Sequence, residues 1–141
     1  MVFFYEKMKV KDILYLVEKD FVSTVYHLNG KESIYSVKTT LNKIAKQHLF
    51  NLQEYYKLVR REIGLKNKIP IYFSEGMLLF NLKCKQTSYF INFFNVLKVC
   101  FEDDVIIIFK NNTILHLEVS KKILFQEMTK INKVLDYVRK L

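Results

Sequence analysis

The stretch Ile69–Phe109, IPIYFSEGMLLFNLKCKQTSYFINFFNVLKVCFEDDVIIIF, decides the fold. It is a succession of apolar runs separated by short polar breaks: Ile69–Ser74, Met77–Lys83, Ser88–Phe93, Val96–Phe101 and Val105–Phe109. Each run has the length of a strand. Glu75-Gly76 marks one hairpin turn and Asn111-Asn112 another, after which Ile114–Glu118 pairs back. No helical pattern interrupts the series. A parallel βαβ arrangement needs such helices, so the pattern predicts an antiparallel meander.

Upstream, Asp12–Glu18 and Val22–Leu28 also read as strands. Asn29-Gly30 is a tight-turn signal, with Ser33–Lys38 as the expected partner strand. Thr39-Thr40 offers a cap for a short helix in which Leu41, Ile44, Ala45 and His48 recur at helical spacing, ending near Leu49. Asn51–Gly64 reads as a helix or a loop. In the helical reading Leu58, Val59 and Ile63 share a face, Lys57, Arg60 and Arg61 lie off it, and Gly64 ends it. The last element is a long amphipathic helix capped by Ser120, with a stripe of Leu124, Met128, Ile131, Leu135 and Val138. Such a stripe docks on a sheet or, in a second reading, forms a dimer. The expectation is one α+β domain over residues 1–141, antiparallel and β-rich, with a short middle helix and a long C-terminal amphipathic helix.

The 141 residues suffice for one real core, and half of them are hydrophobic. Three glycines and one proline leave no candidate linker. Two cysteines, Cys84 and Cys100, make no disulfide framework and read as buried free thiols of a reducing cytoplasm. The start, MVFFYEKMKVK, turns charged too early for a signal peptide. No apolar run approaches the roughly 18–20 residues of a membrane span, so no span and a cytoplasmic location are expected.

The usual chemistries lack their residues. His27, His48 and His116 stand far apart, and no CxxC, HExxH or HxH spacing occurs, so no metal site is expected. No GxGxxG, P-loop or GxSxG motif is present, and no cofactor is expected. Glu102, Asp103 and Asp104 lie between two apolar runs and read as a solvated turn. The chain does not read as an enzyme.

Charge is the remaining signal. The formal net charge is +9, made of +3 in residues 1–46, +5 in 47–100 and +1 in 101–141. Lys57, Arg60, Arg61, Lys66 and Lys68 fall within twelve positions, opposed by Glu62 alone. One reading is contact with a polyanion. Arginine presents a planar fork to phosphate or to a narrow minor groove, and lysine a point charge. The other reading is a solvated amphipathic helix in a lysine-rich chain. Lys83 and Lys85 belong to a separate strand end and widen the same patch or lie on another face.

The residues in order are Arg60-Arg61, Lys68-Ile69-Pro70-Ile71, Phe80-Asn81-Leu82, Ser88-Tyr89-Phe90-Ile91, Phe109-Lys110-Asn111-Asn112 and Val119-Ser120. From about Leu49 to Glu127 this series resembles the ComK competence transcription factors. There a Gly-Arg element leads to a Lys-x-Pro-Ile strand, a Phe-Pro-Thr strand end, a Cys-x-Trp-Ile strand, a Phe-x-Asn-Gly hairpin and a Ser before the final helix. Val59, Asn81-Leu82, Ser88 and Phe90 replace the family's Gly, Pro-Thr, Cys and Trp. The LytTR DNA-binding domains resemble it in part, through DILYLVE, NG, TTLNKI, SYFIN and VSKK.

The ComK resemblance implies a non-enzymatic regulator of transcription that reads A/T-rich duplex DNA through the minor groove. It also implies self-association on DNA; a separate reading is a truncated regulatory relative that dimerises with a full-length activator. Arg60 and Arg61 would be the first contacts, Lys57, Lys66 and Lys68 phosphate contacts, and Lys83 and Lys85 secondary ones. The alternative class is a pleckstrin-homology-like module whose basic loop meets anionic lipid or an acidic protein.

Overall fold

The computed structural model describes residues 9–141; the first eight residues of the stretch read as carrying no signal peptide lie outside them. The chain runs β1 (Ile13–Lys19), β2 (Val22–His27), β3 (Gly30–Ile34), α1 (Val37–Gln47), α2 (Leu52–Glu62), β4 (Ile71–Ser74), β5 (Met77–Cys84), β6 (Thr87–Asn92), β7 (Val96–Phe101), β8 (Val105–Phe109), β9 (Ile114–Leu117) and α3 (Lys121–Arg139). Every strand pair is antiparallel. Six strands form one sheet in the order β3-β2-β1-β6-β5-β4, and β7-β8-β9 form a second. This is an α+β fold in a single domain, as the apolar runs imply.

The large sheet has a core on each face, because its strands alternate two apolar sets. Leu16, Val25, Ile71 and Leu79 pack on one face with Leu41 and Ile44 of α1 and Leu52 of α2. Leu14, Phe80, Leu82 and Ile91 pack on the other with Ile107 and Leu117 of the small sheet and Ile131 and Leu135 of α3. The α3 stripe therefore docks internally: Leu124, Ile131 and Leu135 are buried, and Met128 and Val138 pack against the same core.

Asn92 joins these parts. It is fully buried, accepts from the Leu78 and Phe94 amides, and donates to the Ile13 and Gly76 carbonyls. One side chain thus ties β1, β5 and β6 at the point where the N-terminal hairpins meet the C-terminal meander.

Three expectations need correction. The partner of β2 is Gly30–Ile34 rather than Ser33–Lys38. The strand continues directly from the Asn29-Gly30 turn, and Ser36, not Thr39-Thr40, caps α1 by accepting from the Thr39 amide at 3.0 Å. The cysteines are half-buried rather than buried. Cys100 lies in β7, which has a neighbour on one side alone, and Cys84 ends β5 beside the Glu118 carbonyl.

The open choice at Asn51–Gly64 resolves to a helix. Asn51 Oδ1 accepts from the Glu54 amide at 3.1 Å, and Gly64, at φ +82°, returns its N–H to the Val59 carbonyl at 3.0 Å. Among the described residues no helix is long and apolar enough to cross a membrane.

Candidate nucleic-acid interface

The rotation of α2 sorts the basic residues. Val59 turns inward and is buried. The Tyr55 hydroxyl donates to the Pro70 carbonyl at 2.6 Å and accepts from the Tyr72 amide at 3.0 Å. These contacts pin the helix against the start of β4. With about 100° per residue, Tyr56 and Arg60 then share one flank, while Lys57 and Arg61 share another.

The Tyr56–Arg60 flank faces a depression of about 250 Å³ between α2 and the open end of the sheet. Arg60, Lys66 and Lys68 line it together with Tyr56, Asn81 and Ser88. The Arg60 guanidinium sits 5.9 Å from the centre of the Tyr56 ring, which limits its sweep. Burial raises the Tyr56 pKa and Arg60 opposes that shift, so the phenol stays a neutral donor at physiological pH. Lys68 holds a left-handed φ of 48° in the loop that leads into β4.

Ion pairing separates the seven basic candidates. Lys57 lies 3.5 Å from Glu54, Arg61 3.2 Å from Glu62, and Lys85 3.2 Å from Glu118. Among the described residues, Arg60, Lys66, Lys68 and Lys83 have no carboxylate within ion-pair distance.

Register places Lys83. It stands opposite Ser88 and therefore on the depression's face of the sheet. Lys85 sits in the β5–β6 turn at φ 57° and reaches towards Glu118, just past β9. The structure thus brings together Arg60, Lys66 and Lys68, with Lys83 as an extension. Lys57 and Arg61 border a different hollow on the far side of α2, with Phe50 and Tyr72.

Tyr56, Asn81 and Ser88 are polar partners that a charge count passes over. The Tyr56–Arg60 spacing of four was a usable signal. The other two come into the site through strand pairing alone. No family model, no curated protein and no solved structure matches this chain.

Proposed function

We propose that this protein is a non-enzymatic, ComK-like regulator of transcription in the cytoplasm, and that it binds A/T-rich duplex DNA at the Arg60–Lys66–Lys68 depression. The observation that carries the reading is the convergence of these three cations, free of carboxylate partners among the described residues, on one concave surface. Cations already paired must give up a carboxylate before they meet phosphate, whereas these need not. Lys83 lengthens the track along the sheet face. Arg60, held by Tyr56, is the residue for a narrow, strongly negative minor groove, and Lys66 and Lys68 are phosphate contacts. Arg61, Lys57 and Lys85 lie outside this surface and are not part of the proposed contact. Association with a second copy, or with a full-length relative, belongs to the same reading.

The test is a fluorescence-anisotropy titration at low salt with A/T-rich duplex, G/C-rich duplex and phosphatidylserine vesicles as separate arms. The expected result is tightest binding to A/T-rich duplex, with affinity falling steeply as salt rises. Vesicle binding without duplex binding would transfer the site to the pleckstrin-homology-like alternative. Binding to neither would end the DNA reading and the lipid form of the alternative.

A further inference from the structure

The opposite face of the large sheet holds a second concave surface, unrelated to the basic depression. Its floor is set by strand register. Thr24, Val17 and Tyr89 form one row across β2, β1 and β6, and Tyr26 and Tyr15 form the next. Leu115 of β9, Lys19 and Asp20 complete the lining. The groove has a volume of about 460 Å³. That is within the roughly 300–1,000 Å³ of small-molecule sites.

The tyrosines give it chemical character. Tyr15 is 7% exposed, and its ring is stacked with Tyr26 at 4.5 Å and with Phe109 at 5.6 Å between centroids. What Tyr15 can still offer the groove is its hydroxyl. Among the described residues, the hydroxyls of Tyr15, Tyr26 and Tyr89 make no protein hydrogen bond, and none of them is a buried unpartnered atom, so each stays open to solvent in the groove and free to meet a ligand. Burial together with the neighbouring Tyr26 and Tyr89 phenols drives the Tyr15 pKa well above its ordinary value, so the hydroxyl keeps its proton and acts as a donor.

We propose that this groove binds a small, neutral, planar heteroaromatic molecule whose ring nitrogen or carbonyl accepts from the Tyr15 hydroxyl. The floor of Val17 and Thr24 and the wall of Leu115 offer apolar surface to a flat ring. Lys19 and Asp20 give the lining one charge of each sign, which suits a ligand with no net charge. The site is independent of the DNA reading and stands if that reading fails.

Quinoline serves as the probe, with naphthalene as the same shape lacking an acceptor and cyclohexanol as a non-planar control. Amide chemical shifts are followed in the isotopically labelled full chain. Quinoline is expected to shift Val17, Thr24, Thr87 and Tyr89, and cyclohexanol to leave them in place. Tyr15→Phe removes the hydroxyl and no recorded protein hydrogen bond. It is expected to weaken quinoline on the order of threefold to tenfold, the worth of one hydrogen bond, and to leave naphthalene unchanged. No shift with millimolar quinoline in the wild-type chain would overturn the proposal. So would equal effects of Tyr15→Phe on quinoline and naphthalene.

Discussion

The ammonium of Lys130, on α3, donates to the main-chain carbonyl of Asn67 at 3.0 Å. Asn67 stands between Lys66 and Lys68, so the terminal helix holds the loop that presents two of the proposed contact residues. The same ammonium lies 2.9 Å from Glu127 Oε2, and Glu127 is 4% exposed with Oε1 unpartnered. Lys130 is therefore not a bystander cation on a solvated helix face.

Lys130→Met leaves the Glu127 carboxylate buried without a counter-charge. Because Lys130 itself is 23% exposed, the expected loss is at the low end for broken buried pairs, about 3 kcal/mol by urea unfolding. Glu127→Leu combined with Lys130→Met is expected to recover most of that stability while still freeing the Asn67 carbonyl. If the double variant then binds duplex as well as wild type, the loop needs no clamp.

Arg60 and Arg61 are neighbours in sequence with different surroundings. Arg60 lines the depression, whereas Arg61 pairs with Glu62 at 3.2 Å. Arg60→Ala is expected to weaken duplex binding on the order of tenfold, and Arg61→Ala by less than about twofold. Anisotropy titrations at one fixed salt concentration measure both. Equal losses would mean that diffuse charge, rather than a site, attracts the DNA.

Tyr55 links stability to alkaline pH. Burial, opposed by the hydrogen bond from the Tyr72 amide, pushes its pKa from 10.0 up to about 12. The folded state therefore holds the proton more tightly than the unfolded one. Stability is fully present below pH 10 and is lost as pH rises from about 10 to about 12, by roughly 1.4 kcal/mol per unit from this group. Tyr15 shifts in the same direction and steepens the fall. Urea midpoints measured across this range check it, and a flat profile would contradict the burial of Tyr55.

The β1–β2 turn is built from an unfavourable residue. Asp20 and Phe21 have φ of 51° and 65°, and Phe21 is wholly exposed. Two-residue turns with both φ positive favour Asp-Gly. Phe21→Gly is expected to raise stability by about 0.5–1 kcal/mol and the melting temperature by a few degrees, as calorimetry would show. A lower melting temperature would mean that Phe21 makes a stabilising contact.

Asn92 is fully buried; its bonds to the Leu78 amide and the Ile13 carbonyl are buried, and those to Gly76 and Phe94 partly so. Asn92→Leu is expected to cost about 2–4 kcal/mol, chiefly because the buried Leu78 amide loses a partner that water cannot replace. A loss below about 1 kcal/mol in chemical unfolding would show that those groups find other partners.

Much of the fold was legible in the order of residues, and for local reasons. The runs at Met77–Lys83, Val96–Phe101 and Val105–Phe109 coincide with β5, β7 and β8 to within a residue. Ser120 caps α3 and Gly64 ends α2 because capping and left-handed termination depend on a few adjacent residues. The slip at Ser33–Lys38 has a local cause as well. Ser36 can extend a strand or cap a helix, and the burial of Val37, Leu41 and Ile44 against the sheet favours the cap.

The candidate site was legible as a list of cations but not as a surface. Which of them converge depends on the rotation of α2, set by Tyr55 and Val59, and on the pairing of Lys83 with Ser88. The same holds for Lys85, whose partner Glu118 is distant in the chain.

By itself, the sequence determined the antiparallel β-rich class, the final amphipathic helix and the basic middle third, since periodicity, capping and charge are properties of neighbouring residues. Tertiary structure alone decided that β1 pairs with β6, that Asn92 fastens them, and that Arg60, Lys66 and Lys68 meet while Lys57, Arg61 and Lys85 are paired elsewhere. The physical reason is that strand pairing and helix rotation follow from how distant apolar faces are buried together, and no short window of sequence contains both faces.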